Sequence, residues 1–279
     1  MIDGPWLADL PALLQLPFLQ RALLAGLLTG ALGGLMGSVA VLRQLSFFSD
    51  ALGHSALLGL SLGLVLGLHP TLVLIPFAVL FALVVNQLVQ RSRLPADSLL
   101  NILYSSSLAL AVLLLSLLRT PAPGLQQLLF GDILGVDRLD LVQLLLTLAL
   151  VGAVLLLSHR AQMLLTIDEG LARSRGVAVG AQRLVFVVLL ALVVAMAIKA
   201  VGALLISAFV VIPASAARLI APSLGSYALL SVLIGCSGAV VGLVLSALAN
   251  LPSGPVVVVV QLVLFVLALV WMPLLRPRA

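Results

Sequence analysis

Charged side chains are scarce in this 279-residue chain, in which only 8% of the residues are Asp, Glu, Lys or Arg. A soluble domain carries roughly 25% charged residues, because water must hydrate its surface. Here 63% of the residues are apolar and the mean hydropathy is +1.34. The composition therefore excludes a soluble fold and predicts a polytopic helical membrane protein.

Cysteine is almost absent as well, since Cys236 is the only one. A single cysteine forms neither a disulfide framework nor a CxxC metal site. The sequence also lacks HExxH, Walker A and GxGxxG motifs, so it gives no support to zinc-protease, phosphate-binding or dinucleotide-binding sites. The GCSG segment at 235–238 has a serine-protease pattern, but no histidine follows His159 to activate Ser237. Hydrolytic chemistry is therefore not expected.

Long apolar runs fill most of the chain, and a helix needs about 20 such residues to cross a bilayer. Seven runs predict one span each, at about residues 18–42, 50–68, 71–90, 98–118, 139–158, 225–249 and 254–275. The run at 182–221 is interrupted by Gly202 and Pro213, and its length allows either one long span or two short ones. The N-terminus lacks the basic region of a secretory signal, so no cleaved leader is expected.

The arginines favour two crossings for residues 182–221, because cytoplasmic loops are enriched in Lys and Arg. With nine spans, ten basic residues share one side: Arg43, Arg91, Arg93, Arg160, Arg173, Arg175, Arg183, Arg218, Arg276 and Arg278. We therefore predict nine spans with the N-terminus outside, and eight spans are the alternative. Residues 1–279 form one membrane domain, whose polar connection at about 159–181 is too short to be an ATPase.

Asp50 and His54, in the segment SFFSDALGHSALLG, are the leading functional candidates, because ionisable groups inside a membrane line pathways or pair with each other. A spacing of four residues places both side chains on one helix face, one turn apart. A carboxylate oxygen and an imidazole nitrogen can approach one cation there, and two such faces at a symmetry axis would supply four ligands. In the alternative interpretation, Asp50 caps the helix and His54 hydrogen-bonds to it.

Two further features have both a functional and a structural interpretation. Lys199 lies in an apolar run and either pairs with a carboxylate in a pore or extends toward the membrane surface. The segment DEGLARSRGV, residues 168–177, can form a short amphipathic helix, with Leu171 and Val177 available for an apolar contact. This helix either docks a peripheral partner or supplies the charges that any large cytoplasmic loop needs.

Four blocks of sequence together resemble the permease subunits of ATP-binding-cassette importers for divalent transition metals, most of all the zinc-importer branch. In chain order they are FFSDALGHSALLG (47–59), LLFGDILGV (128–136), AIKAVGALLISAFVVIPASAARL (197–219) and LPSGPVVVVV (251–260). The resemblance covers nearly the whole chain. It implies an all-α bundle of eight to ten helices, similar to the cobalamin-importer permeases, that pairs as a homodimer around a central pathway in the bacterial cytoplasmic membrane.

The resemblance also implies roles for individual residues. Asp50 and His54 of each protomer would contact the metal in transit, and Pro213 would help to shape the translocation helices. The residues that match the family's ATPase-coupling helix are Asp168, Glu169, Ala172 and Gly176. Ser105 stands where zinc-transporting relatives place a histidine, which weakens the case for zinc over manganese.

These observations predict a lipid-embedded import subunit with no catalytic residues. An external binding protein would deliver a divalent metal, zinc before manganese or iron, to a homodimer driven by separate cytoplasmic ATPases. No cofactor is bound permanently, because zinc or manganese is the cargo, and no nucleic acid is expected as a partner. The alternatives are a proton-driven carrier that uses Asp50 and Lys199 as a relay, and a membrane scaffold that transports nothing.

Overall fold

The computed structural model describes residues 15–68, 70–92, 94–117, 131, 133–203 and 205–275. The helices are α1 (Pro17–Leu42), α2 (Ser46–Val65), α3 (Pro70–Arg91), α4 (Ala96–Ser116), α5 (Arg138–Leu157), α6 (His159–Ile167), α7 (Glu169–Ser174), α8 (Val179–Val201), α9 (Ile206–Ile220), α10 (Leu224–Ala249) and α11 (Ser253–Leu275), with a 3-10 turn at Ile133–Gly135. These ranges contain no β-strand. The all-α prediction is therefore confirmed, and the LLFGDILGV block lies mostly outside the described residues.

Eight of these helices, α1 to α5, α8, α10 and α11, are long and apolar enough to cross a membrane. The bundle buries 67% of the apolar window of α2 and of α8, but only 17% of that of α4 and of α11. The outer helices therefore expose a continuous apolar surface that water would not cover, and lipid has to cover it. The chain is a multi-pass integral membrane protein, as its composition predicts.

The long apolar run around Gly202 forms two helices. α8 ends there, because Gly202 has a φ of +93°, and α9 follows with only 15 residues. The packing on α1 gives the direction of α9, since a Cβ added to Gly33 would meet the Phe209 carbonyl and one added to Gly37 would meet the Val210 carbonyl. α9 therefore runs parallel to α1. Within the described ranges the chain therefore has eight helices of span length and one further apolar helix, α9, that is shorter than a full span.

The centre of the bundle is built on close backbone contacts between α1 and α10. A Cβ added to Gly30 would lie 2.6 Å from the Gly235 carbonyl oxygen, and one added to Gly34 would lie 2.5 Å from the carbonyl oxygen of Ser231. The Ser231 hydroxyl donates a hydrogen bond of 2.6 Å to the Gly34 carbonyl. Small residues allow this approach, which is how many membrane helices associate.

The two ends of the bundle carry different charges. One end, here named the basic end, carries Arg43, Arg91, Arg160, Arg173, Arg175, Arg183 and Arg218. Two of these arginines contact the short helices at this end: Arg43 donates to Thr166 of α6, and Arg183 donates to Glu169 of α7. α5 begins at the opposite end. The excess of arginine assigns the basic end to the cytoplasm.

Candidate functional site

Asp50 and His54 share one face of α2, as their spacing predicts. α2 begins at Ser46 with Leu45 as its N-cap, so Asp50 is not the helix cap that the alternative interpretation required. His54 Nδ1 lies 2.9 Å from the backbone carbonyl oxygen of Asp50 and 3.6 Å from its Oδ1. Because a carbonyl oxygen only accepts, Nδ1 is the donor, and in a neutral imidazole with this tautomer Nε2 carries the lone pair. The imidazole is thus oriented with one nitrogen free to bind a metal.

Both side chains are accessible from outside the chain. The Asp50 side chain is 33% exposed and the His54 side chain 20% exposed. The imidazole packs edge-to-face on the ring of Tyr104 in α4, with ring centroids 4.9 Å apart. No Lys or Arg of the described ranges forms a salt bridge with Asp50. Placing a carboxylate without such a partner against lipid costs free energy, so this face requires water, a cation or another protein surface.

A polar stripe on α4, which the sequence analysis missed, lies beside this pair. Asp97, Asn101 and Ser105 follow one another at four-residue intervals and are all exposed. Residues three or four apart on a helix are neighbours, so Tyr104 and Ser105 both adjoin Asn101. The stripe therefore continues from the aromatic ring that His54 contacts. A polar residue at every fourth position in DSLLNILYS was the available indication.

The stripe extends from the depth of the pair toward the basic end. α2 and α4 both begin at that end, because Leu45 and Ala96 line the same cavity. His54 and Tyr104 each lie eight residues, or about 12 Å, from the first residue of their helix. By the same measure Asn101 lies near the depth of Asp50, and Asp97 lies about one turn closer to the basic end.

Lys199 forms a salt bridge with Asp140, an aspartate that the sequence analysis did not consider. Lys199 Nζ lies 2.8 Å from Asp140 Oδ1. Asp140 is held at the start of α5, where its Oδ2 accepts the backbone N–H of Asp137 at 2.9 Å in a capping box. The spacing of Asp137 and Asp140 was the sequence indication for this box. Lys199 thus pairs with a carboxylate, at the end of the bundle opposite the basic end.

Lys199 and Asp50 lie at different depths. Arg183 of α8 lines the same cavity as Leu45 at the basic end. Lys199 lies sixteen residues beyond Arg183, or about 24 Å along α8, whereas Asp50 lies five residues beyond Leu45, or about 7.5 Å. A difference of roughly 16 Å is far beyond hydrogen-bond reach. The two side chains therefore do not contact each other directly.

The predicted coupling segment folds as the short helix α7, and two of its four candidate residues build its N-terminal half. Asp168 is the N-cap, because its Oδ1 accepts the Leu171 N–H at 2.6 Å. Glu169 accepts from Arg173 within α7 and from Arg183 of α8, both at 2.6 Å. The Arg183 contact fixes α7 to the bundle.

The other two candidates shape the C-terminal half of α7. Ala172 is fully buried, so it anchors the inner face of the helix. Gly176 ends the helix with a φ of +76°, in the left-handed region that glycine adopts at low cost. Leu171 is 41% exposed on the outer face and Val177 is half-buried. The segment thus forms a fixed platform with an exposed apolar side chain.

Pro213 lies within α9 and is buried. The connection before α9 packs closely against α2 at Gly53, a residue that lies between Asp50 and His54 in the sequence. A Cβ added to Gly53 would meet the Ala203 carbonyl. The described ranges hold no group of three or more His, Cys, Asp or Glu side chains that could bind a metal. One chain thus offers a candidate pair of ligands, Asp50 and His54, here named the half-site.

Comparison with known proteins gives the family of this architecture. The model of the ABC 3 transport family matches residues 15–272. The chain belongs to the ABC 3 transport family. This membership confirms the resemblance to importer permeases that the four sequence blocks indicate, and the chain is a permease subunit of an ABC transporter.

Relatives in this family are named for two metals. The chain is 32% identical over 248 residues to the high-affinity zinc uptake system membrane protein ZnuB of Haemophilus influenzae, covering 89% of this chain and 95% of that protein. It is 29% identical over 264 residues to the manganese transport system membrane protein MntC of Listeria monocytogenes, covering 95% and 94%. The solved structure of PsaBC from Streptococcus pneumoniae in complex with a Fab matches with a TM-score of 0.82 and 30% identity, over 94% of this chain and 95% of that one.

Proposed function

We propose that this ABC 3 permease imports a divalent transition metal, zinc in preference to manganese or iron, through a transient site formed by Asp50 and His54. The observation that carries the proposal is the orientation of His54, whose Nδ1 is bound to the Asp50 backbone while Nε2 is free. An imidazole nitrogen suits zinc, and a carboxylate binds zinc and manganese alike. The relatives named for zinc and manganese support the same class of cargo.

The half-site of one chain supports a homodimer. Zinc takes four ligands in most protein sites, and one chain offers two. Two copies that face each other through α2 would supply two carboxylates and two imidazoles. The exposed face of the pair, with no Lys or Arg partner in the described ranges, is the surface such a dimer would cover. A site with two carboxylates and no thiolate binds zinc weakly enough to release it.

The stripe on α4 supports a route from this site toward the cytoplasm. Polar groups on a membrane helix are stable where they line a water-filled path. Asn101 and Asp97 lie at successively smaller depths on the way to the basic end, so a cation leaving Asp50 would meet an amide and then a carboxylate.

The energy source we propose is a separate ATPase that docks on α7. The connection between α5 and α8 forms only α6 and α7, which are too short for a nucleotide-binding domain. α7 presents Leu171 and Arg173 as exposed side chains, and Arg175, which caps its C-terminus, is exposed as well. A binding protein on the opposite side would deliver the metal, and ATP binding and hydrolysis would alternate the access of the dimer.

The test is metal uptake into proteoliposomes that contain this chain with its ATPase, comparing zinc, manganese and iron. We expect ATP-dependent uptake with zinc preferred, and its loss in Asp50→Asn and His54→Gln while the ATPase still co-purifies. His159→Gln is the matched control, because His159 is exposed on α6 at the basic end. Normal uptake by both pathway variants would reject the site. Uptake that follows a proton gradient and ignores ATP would favour the carrier, and no uptake of any metal would favour the scaffold.

A further inference from the structure

Arg43 lies in the short connection between α1 and α2 and joins it to two other helices. Its Nη2 donates to the backbone carbonyl of Gln162 in α6 at 2.9 Å and to the Oε1 of the same residue at 2.6 Å. Its Nε donates to the Thr166 hydroxyl at 3.0 Å. The guanidinium lies over the ring of Phe186 in α8, 4.6 Å from the centroid. An arginine needed only for orientation in the membrane would not make these contacts.

Placing Arg43 here has a cost. Burial lowers the pKa of the Arg43 guanidinium to about 10, and the nearby charge of Arg183 adds to the effect. Its Nη1 is buried with no hydrogen-bond partner in the part of the chain that the structure describes. The group stays charged at physiological pH, and a buried charge is tolerated only when most of its donors are bound. The contacts with α6 therefore hold Arg43 in place.

The contacts continue from α6 to the coupling helix. Gln162 Nε2 donates to Gln182 of α8, at 3.2 Å to the backbone carbonyl and 2.9 Å to Oε1. The next residue, Arg183, bonds to Glu169 of α7 at 2.6 Å. α7 is thus joined through α8 and α6 to the connection that precedes α2.

The connection itself is rigid enough to transmit a displacement. The Leu45 N–H donates to the Ala40 carbonyl at 2.9 Å, and the Gln44 N–H donates to the Val41 carbonyl at 3.3 Å. Gln44 has a φ of +58°, which completes a Schellman motif at the end of α1. A movement of Arg43 would therefore move the start of α2, because this turn has little slack to absorb it.

A cavity beside the contacts leaves room for that movement. It has a volume of about 290 Å³ and lies between the ends of α3, α4, α6, α7 and α8. Its polar and charged lining residues are Arg43, Asn86, Thr166, Glu169 and Arg183. A side chain that borders open space can change position without displacing a packed core.

We propose that Arg43 is a positioning residue that transmits the movement of α7 to α2, and so links the ATPase to the opening of the Asp50–His54 face. The inference rests on the proposed function in one respect, since it assumes that an ATPase moves α7. Arg43 itself lies outside both the coupling helix and the proposed metal half-site, so its role is separate from theirs. Gln162 and Thr166 are its acceptors on α6.

The test measures ATP hydrolysis and metal uptake for Arg43→Ala in the reconstituted complex. We expect the ATPase to co-purify and to hydrolyse ATP while the metal transported per ATP is lost. Arg160→Ala is the matched control, because Arg160 is an exposed arginine on α6 at the same end and should keep the wild-type ratio. An unchanged ratio in Arg43→Ala, or an equal loss in Arg160→Ala, would overturn the proposal.

A second measurement does not depend on the cargo. Ser105→Cys, introduced with Cys236→Ala, places one thiol on the stripe beside the half-site, and its rate of labelling by a water-soluble maleimide reports access. We expect ATP to change this rate in the Arg43-containing protein and to leave it unchanged in Arg43→Ala. An ATP-dependent change that persists in Arg43→Ala would reject the link, whichever substrate is carried. Failure of the proposed function would appear separately, as absent metal uptake with normal ATP-dependent labelling.

Thr166→Val and Gln162→Met test the same contacts without opening a large cavity. Each substitution removes a side-chain acceptor of Arg43, so we expect each to lower the metal transported per ATP, and the two combined to lower it further. A wild-type ratio in the combined Thr166→Val and Gln162→Met variant would contradict the proposed link. These milder variants also give a reading if Arg43→Ala does not assemble.

Discussion

The Arg43 contacts and the Asp50–His54 face are both polar regions of an apolar bundle, but their hydrogen bonds differ in completeness. Arg43 uses Nε and Nη2 in three hydrogen bonds to α6. Asp50 and His54 bond only to each other in the described ranges, and they are partly exposed. Buried polar groups with several bonds to another helix fix the helices to one another, even when one atom, such as Arg43 Nη1, lacks a partner. Accessible polar groups with few bonds inside a membrane can bind a transported ion. The extent of bonding, together with access, thus separates a mechanical role from a binding role.

The strongest test of this difference is Asp50→Asn. We expect metal uptake to fall by about 100-fold, because a charged ligand is lost. This is the upper end of the roughly 10- to 100-fold loss seen when residues that support a metal site are changed. The thermal stability of the solubilised protein should change by less than about 0.5 kcal/mol, since Asp50 has no Lys or Arg partner in the described ranges to lose. Uptake assays and thermal unfolding measure the two effects. A large loss of stability with uptake retained would reverse the assignment.

The same substitution at Asp140 should give the opposite result. Asp140→Asn weakens the salt bridge with Lys199, which is partly exposed, and perturbs the capping box at the start of α5. We expect a destabilisation of about 1 to 2 kcal/mol with the metal transported per ATP unchanged. Thermal unfolding at two salt concentrations checks the loss. If uptake fell as far as in Asp50→Asn, Asp140 would have to be counted as part of the pathway.

The Asp50 and Asp140 regions also show which features the sequence could predict. The membrane-spanning helices could be predicted from the length of apolar run that a bilayer requires, and the ends of the predicted spans differ from those of the helices by only a few residues. The four-residue spacing of Asp50 and His54 predicts their shared face, because it is local. The partners of Lys199 and Arg43 could not be found this way, since Asp140 and Gln162 lie 59 and 119 residues away. In the proposed homodimer the other two ligands are Asp50 and His54 of a second copy, so the sequence names them, but it does not show how the two faces meet.

A smaller effect is expected along the α4 stripe. Asp97→Asn removes a carboxylate between Asp50 and the basic end, and we expect the rate of uptake to fall roughly fivefold, which corresponds to about 1 kcal/mol. The cause is a weaker attraction for the leaving cation, so the loss should be greater at low ionic strength. Asp97→Glu is the matched variant and should retain most of the rate. Equal rates for Asp97→Asn and the wild type would limit the route to α2.

The smallest effect concerns a polar residue that is unsaturated but inaccessible. Gln261 of α11 is completely buried, and neither its Oε1 nor its Nε2 has a hydrogen-bond partner in the described ranges. It packs against α10, where a Cβ added to Gly238 would lie 2.7 Å from Gln261 Cγ. A buried amide without partners costs free energy that a leucine of similar volume avoids, so Gln261→Leu should raise stability by about 0.5 to 1 kcal/mol. Transport should not change, because no ion can reach this amide. Lost transport in a stabilised Gln261→Leu protein would show that a polar side chain without hydrogen-bond partners can be needed for transport even where no ion can reach it. Solvent access would then not help to separate a binding role from a mechanical role.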